Sequence, residues 1–263
     1  WRFPSVLGQN GGGAYLIPYL VAVFVFALPL MILEISAGRH FRGTVVSAFA
    51  AVRPSFRALG WLVCATIFLI LSYYLVITGW TLAYTAFSAT GSTAPFSSFS
   101  GSFLPVFFGM IAVVLTGLVV ALGVRQGIER ISVLMVPVIV VVLVLLVLYC
   151  TTLSGFMEGL AFVFTPDFSV LTRPALWMAA FGQAFFSLSV GEGILLTYGT
   201  YMDKKQDIAR SSLIISVADL AVALLAALVI FPVVFSFGLS PSAGTELAFT
   251  TLPLAFSLMP YGN

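Results

Sequence analysis

Residues 177–201, WMAAFGQAFFSLSVGEGILLTYGTY, are long and apolar enough to cross a bilayer, yet serines, glycines and a carboxylate lie at their centre. Gly191 and Gly193 weaken a helix there, and Glu192 is costly at mid-membrane unless it faces protein, water or an ion. This pattern is typical of a discontinuous helix whose unwound backbone binds something inside the membrane. On this segment alone, a kinked helix with serines bonded to their own helix and a structural role for Glu192 stays open.

The composition is that of a polytopic membrane protein. Of the 263 residues, 61% are hydrophobic and 8% are charged, whereas soluble domains carry roughly 25% charged residues. A helix needs about 20 apolar residues to span the hydrocarbon core, so we predict an all-α bundle. Apolar runs of this kind lie near residues 14–35, 58–87, 104–123, 131–153, 175–201 and 211–237.

The positive charges predict the topology. If the hairpin at 39–57 is cytoplasmic, nine of the 11 Lys and Arg residues lie inside and the other two, Arg2 and Arg173, lie outside. Such a bias orients membrane proteins. No soluble domain with a basic face is present, so no nucleic-acid partner is expected. The predicted cytoplasmic segments are 39–57, 124–130 and 202–210, and the external ones are 88–103, 154–173 and 238–263.

Three carboxylates fall inside the predicted spans, namely Glu34, Glu192 and Asp219. Intramembrane carboxylates are candidates for ion coordination, proton relay or substrate pairing. The structural alternative is a hydrogen bond to unwound backbone or to a neighbouring hydroxyl. For Glu34 we favour that alternative.

Several long motifs resemble the neurotransmitter:sodium symporter family, whose bacterial members include LeuT-type amino-acid transporters. The similarity covers nearly the whole chain. The motifs are WRFPSVLGQNGGGAYLIPY at 1–19 with Pro29, Glu34 and Gly38-Arg39 after it, Tyr73-Tyr74, Trp80, GIERISVLMVP at 127–137, GLAFVFTPDF at 159–168, GQAFFSLSVGEG at 182–193, TYGTYMDKKQDI at 197–208 and TLPLAF at 251–256.

The resemblance implies an all-α polytopic membrane protein with the LeuT-type inverted-repeat fold and a broken sixth helix. The chain is expected to be truncated at both ends, because it opens inside the first helix and stops in a loop. It would form one partial transmembrane domain. The expected parts are the outer half of helix 1 at 1–9, helix 2 at 13–42, helix 3 at 58–87, helix 4 at 104–123, helix 5 at 130–153, broken helix 6 at 174–203, helix 7 at 207–237 and an external loop at 238–263.

The same resemblance implies a substrate site. Tyr74 matches the tyrosine that bonds the substrate carboxylate, and Phe186 matches the aromatic lid. Ser189 lies in the unwound stretch that defines the pocket, and Ile70 would line its apolar side. Glu192 departs from the family pattern, in which many relatives carry an apolar or aromatic residue. It either faces the substrate or is held by a helix N-terminus.

Ion sites are implied as well. Ser187 matches a hydroxyl ligand of the first sodium site, and Asp219 aligns with an amide ligand of that site, which would be incomplete in this chain. Tyr19, Gln183 and Ser187 fall where chloride-dependent members hold their anion. Because Asp219 supplies a negative charge there and Ala223 offers no hydroxyl, we expect sodium coupling without a chloride requirement.

Gates and a structural support complete the implied roles. Arg2 corresponds to the arginine of the outer gate, with Gln183 across the vestibule and Phe186 as the lid. Tyr201 matches a tyrosine of the inner gate. Glu34 matches a carboxylate that supports the unwound sixth helix.

The expected function is sodium-coupled symport of an amino acid or a related small amine across the plasma (inner) membrane of a prokaryote, by alternating access and without enzymatic chemistry. A non-transporting amino-acid sensor of the same fold is one alternative. Another is an intramembrane aspartyl-type protease in which Glu192 and Asp219 activate a water. The YD and GxGD motifs of that class are absent from the sequence.

The predicted topology can be tested by cysteine labelling on intact cells. In a background without Cys64 and Cys150, Ser92→Cys should react with an impermeant maleimide because it lies outside. Ser47→Cys should react only after permeabilisation. The reverse pattern would contradict the assigned orientation.

Overall fold

The structure, a computed structural model, describes residues 2–90 and 96–242, and within these ranges every regular element is a helix. The motif at 251–256, residue 1 and parts of two expected external loops, 91–95 and 243–263, lie outside the described residues. The α-helices are α1 (Arg2–Gln9), α2 (Leu16–Val21), α3 (Leu28–Phe41), α4 (Val45–Val52), α5 (Arg57–Ala89), α6 (Phe96–Ser100), α7 (Leu104–Ala121), α8 (Arg130–Cys150), α9 (Phe156–Phe164), α10 (Pro174–Ser187), α11 (Ile194–Tyr201) and α12 (Ile208–Ser236).

The stretch from 174 to 201 is interrupted. It forms α10 and α11, which are separated by the non-helical residues 188–193. The prediction of a broken helix is therefore confirmed, and the kinked continuous helix is wrong. In the part of the chain that the structure describes, five other stretches are long and apolar enough to span a membrane: Gly12–Phe41, Pro54–Ala89, Leu104–Ala121, Val124–Cys150 and Ile208–Ser236.

The segment predicted as helix 2 is continuous but not uniform. A 3-10 turn, Gly12–Tyr15, leads into α2, and a π-helical turn, Ala22–Ala27, joins α2 to α3. Pro29 follows that turn and has no N–H to give to a carbonyl one turn earlier. The hydrogen-bond ladder widens just before it, as at other π-bulges.

Short helices also occupy two segments expected as loops. The hairpin predicted to be cytoplasmic contains α4, and the segment 154–173, predicted to be external, contains α9 and a 3-10 turn, Phe168–Thr172. Side-chain caps explain two of these starts. The Thr44 hydroxyl accepts a hydrogen bond from Ser47 N at 3.2 Å. The Asp167 carboxylate accepts one from Ser169 N at 2.9 Å. Hydrogen bonds from the side chain and the backbone of Ser169 hold the pKa of Asp167 below its usual value.

The main core lies where α1, α2, α10 and α12 meet. Tyr15 and Tyr19 are fully buried and stacked, with ring centroids 5.7 Å apart. Phe3 of α1 packs against Tyr19, with ring centroids 5.0 Å apart. Leu7 and Phe231 are fully buried in the same cluster. This core holds α10, the half-helix before the break, against α2.

Two glycines set the contact between α3 and α11. A β-carbon at Gly38 would overlap the carbonyl oxygen of Leu196, and one at Gly199 would overlap the carbonyl oxygen of Ile35. Small residues let membrane helices approach this closely. The half-helix after the break, α11, is therefore packed tightly against α3.

We expect Gly38→Ala to destabilise the full-length protein by about 1–3 kcal/mol, because the added methyl group forces α3 and α11 apart. Gly117→Ala is the matched control, since a β-carbon at this helical glycine of α7 meets no atom of the described residues within 4 Å. That change should be neutral or mildly stabilising. Thermal denaturation in detergent, followed by size-exclusion chromatography, measures both. Equal melting temperatures for the two variants would contradict the proposed packing role of Gly38.

Candidate functional site

The site is organised by the unwound residues 188–193. The amide of Val190 still bonds the carbonyl of Phe185, at 2.9 Å, and then the backbone leaves the helix. Ser189, Gly191 and Gly193 have positive φ angles of 53°, 86° and 75°. Glycine adopts such angles at little cost, whereas a serine there is uncommon and must be held by its surroundings.

Glu34 of α3 supports the unwound segment. The amide of Gly191 donates a hydrogen bond to Glu34 Oε1 at 2.6 Å. The other carboxylate oxygen, Oε2, is buried and has no hydrogen-bond partner among the described residues. Glu34 therefore satisfies a backbone donor that the broken helix leaves free.

A cavity of about 230 Å³ lies beside the break. Every residue expected at the substrate site lines it: Ile70, Tyr74, Phe186, Ser189 and Glu192. The remaining lining residues, Ile67, Leu71 and Ile194, are apolar. A few polar groups converging in an apolar cavity are typical of a site for a small molecule.

Three side chains are layered at one wall of this cavity. The rings of Tyr74 and Phe186 are stacked, with centroids 5.8 Å apart and planes 14° from parallel. The guanidinium carbon of Arg2 lies 3.7 Å from the centroid of the Phe186 ring. This cation–π contact joins α1 to the cavity wall.

The other expected gate residues lie apart from this stack. Gln183 is buried on α10, with 4% of its surface exposed, and its Oε1 has no hydrogen-bond partner among the described residues. Tyr201 is the last residue of α11 and is exposed. The structure therefore brings Arg2 and Phe186 together and places Tyr201 at the far end of the second half-helix.

Asp219 of α12 is the centre of a second polar cluster. The Ser187 hydroxyl lies 2.8 Å from both oxygens of the Asp219 carboxylate and donates to it. The Tyr19 hydroxyl lies 3.5 Å from Asp219 Oδ2, and Gln183 is one helical turn before Ser187 on α10. The positions expected for sodium and for an anion thus meet around one carboxylate, whose oxygens and that of Ser187 are suitable ligands for a hard cation.

The two carboxylates of the protease alternative have different surroundings. Glu192 lines the cavity, whereas Asp219 is bonded to Ser187 and lies beside Tyr19. Among the described residues they form no shared hydrogen-bonded pair. The arrangement gives no support to an aspartyl-type site.

Some polar contacts were not predicted. Arg39 at the end of α3 donates to the carbonyl of Gln206 at 2.7 Å, beyond the end of α11. Ser212 and Ser216 of α12 are fully buried, and their hydroxyls have no partner among the described residues. Their spacing of four, with Asp219 three residues on, places all three on one helix face. This spacing in the sequence could have indicated that the two serines lie on the same helix face as Asp219.

The chain has clear relatives among known proteins. It matches the model of the sodium:neurotransmitter symporter family over residues 1–105 and 99–263. The sodium-dependent transporter YhdH of Bacillus subtilis is 39% identical, and the match covers 100% of this chain and 61% of YhdH. A sodium-dependent neutral amino acid transporter of Bos taurus, B(0)AT2, is 27% identical over 89% of this chain and 37% of its own length.

A solved structure is also similar. The crystal structure of MhsT in complex with L-phenylalanine superposes with a TM-score of 0.91 at 39% identity and covers 100% of this chain and 62% of that chain. The chain thus spans about three fifths of the length of YhdH and MhsT.

We expect Glu34→Ala to lower the stability of the full-length protein, because the Gly191 amide would lose its acceptor at the break. A backbone donor left without a partner costs about 1–3 kcal/mol. Glu34→Gln keeps an oxygen that can accept this bond, so it should recover most of the loss. Melting temperatures of the purified variants measure these changes in stability. If the Ala and Gln variants melt together at the wild-type temperature, the Glu34 contact does not support the break.

Proposed function

The chain belongs to the sodium:neurotransmitter symporter family, and on that premise we propose that it is the main part of a sodium-coupled symporter for an amino acid or a related small amine. The observation that carries this proposal is the cavity at the break, where Tyr74, Ser189 and Glu192 meet an apolar wall. The names of two relatives support it, since MhsT was crystallised in complex with L-phenylalanine and B(0)AT2 is a sodium-dependent neutral amino acid transporter.

The cavity has the chemistry that an amino acid needs. Its carboxylate requires donors, which the Tyr74 hydroxyl and the amides at the start of α11 can supply. The side chain requires an apolar surface, which Ile70 and Phe186 provide. Phe186 stacks on Tyr74 and lies under Arg2, so it can cover a substrate bound against Tyr74.

Sodium would bind at the cluster around Asp219, which includes Ser187, the residue after the cavity residue Phe186. Ser187 bonds Asp219 and immediately follows Phe186, so an ion that orders Ser187 also orders the lid. Sodium then favours the state whose pocket is complete, in proportion to its higher affinity for that state. Alternating access would follow as substrate closes the outer gate at Arg2 and Phe186 and the inner gate near Tyr201 opens.

The proposed location is the plasma membrane. The apolar helices are those of a membrane protein, and YhdH is bacterial. Exchange of labelled amino acid into vesicles by the full-length protein separates transport from sensing, because a sensor would bind the amino acid but not carry it across. Replacement of sodium by potassium should abolish the exchange.

Tyr74→Phe should reduce sodium-dependent uptake in proteoliposomes by about 10-fold or more, because a hydrogen bond to the substrate carboxylate is lost. Tyr73→Phe is the matched control. Tyr73 is the adjacent residue and is similarly exposed, at 49% against 41% for Tyr74, but it does not line the cavity. Equal uptake by the two variants would place the substrate carboxylate elsewhere.

Transport by the wild-type protein should not depend on chloride, because the Asp219 carboxylate already supplies a negative charge at the expected anion position. Two negative charges at that separation repel strongly where the dielectric constant is low. Asp219→Ser removes the charge and should make transport either inactive or chloride-dependent. Uptake assays in chloride and in gluconate measure this. Unchanged, chloride-independent uptake by the variant would refute the role of Asp219.

A further inference from the structure

Glu192 is the feature of the cavity that the proposed transport of an amino acid does not explain. It lines a space whose other walls include the apolar side chains of Ile67, Ile70, Leu71 and Ile194. A carboxylate beside apolar groups loses solvation, and the cost is offset only by a hydrogen-bonded or charged partner. The question is which partner Glu192 has.

Neighbouring protein groups do not supply that partner. Among the described residues, none donates a hydrogen bond to the Glu192 carboxylate. The nearby amide of Gly191 is bonded to Glu34 instead. Within the described ranges, no amide of the first turn of α11 bonds the Glu192 carboxylate either. The structure therefore does not show Glu192 held by a helix N-terminus.

Arg2 is the cation whose charge acts on Glu192. Its guanidinium is placed over the Phe186 ring, and Arg2 and Glu192 form no ion pair within 4.0 Å among the described residues. The Arg2 guanidinium thus contacts the Phe186 ring and not the Glu192 carboxylate. The carboxylate inside the cavity keeps its hydrogen-bonding capacity.

We infer that Glu192 selects the side chain of the substrate, and that the transported amino acid carries a positively charged side chain. This inference rests on the proposed function, because it assumes that an amino acid occupies the cavity. The α-carboxylate would lie at Tyr74, the methylene groups along the isoleucines, and the cationic end at Glu192. The pocket is small enough, at about 230 Å³, for one molecule of this size.

The test compares lysine with norleucine, whose side chain has the same four carbons without the ammonium group. Binding of each to the purified full-length protein is measured in sodium by competition. The wild-type protein should prefer lysine. Glu192→Gln keeps the shape and removes the charge, so it should weaken lysine binding on the order of 10- to 100-fold and leave norleucine unchanged or tighter.

Glu129→Gln is the control, since Glu129 lies in the turn before α8 and away from the cavity. It should keep the wild-type ranking. If the wild-type protein binds norleucine at least as tightly as lysine, the inference is wrong, and this readout does not require any variant to fold. An unchanged ranking in a folded Glu192→Gln protein also overturns it. Absence of sodium-dependent binding of any amino acid would overturn the proposed function itself.

Discussion

Peptide groups inside a bilayer have no water to bond, and the whole site depends on how this constraint is met at residues 188–193. A continuous helix satisfies its own amides and carbonyls. The break exposes several of them, and the protein compensates from outside the helix, with the Glu34 carboxylate on the Gly191 amide. The groups that are not compensated in this way are the ones that a ligand can use. The same unpaired backbone groups therefore cost stability and provide the hydrogen bonds for a ligand.

Close packing makes this arrangement possible. The glycines at 38 and 199 bring α3 and α11 into backbone contact, which places Glu34 within reach of the break. On the other side, the buried tyrosines of α2 and the preceding 3-10 turn position α10 and direct the Tyr19 hydroxyl toward Asp219. Each half of the interrupted helix is thus positioned by a different part of the segment 12–41.

Local sequence pointed to the interruption, because two glycines, two serines and a carboxylate at mid-span conflict with a lipid-facing helix. It left a kinked helix open, and the motif similarity was needed to favour the break. The cavity residues came from motif similarity, since Ile70 and Phe186 have no feature of their own that separates them from ordinary core. The π-helical turn at 22–27, the Arg2 stack on Phe186 and the Arg39 bond to Gln206 could not be predicted. They depend on which elements pack together in the folded protein, and local sequence patterns do not contain that information.

The link between Arg39 and the Gln206 carbonyl has a mechanical consequence. Together with the Glu34 bond and the two glycine contacts, it fastens α3 to the chain at both ends of α11. These contacts hold the two helices together as one packed body. The first half, α10, is joined to that body along the chain only through six residues without a helical ladder. Residues 188–193 have no such ladder to resist rotation of their φ and ψ angles. The segment that can contact a ligand is therefore also the part of the interrupted helix that would absorb a change in the angle between its two halves.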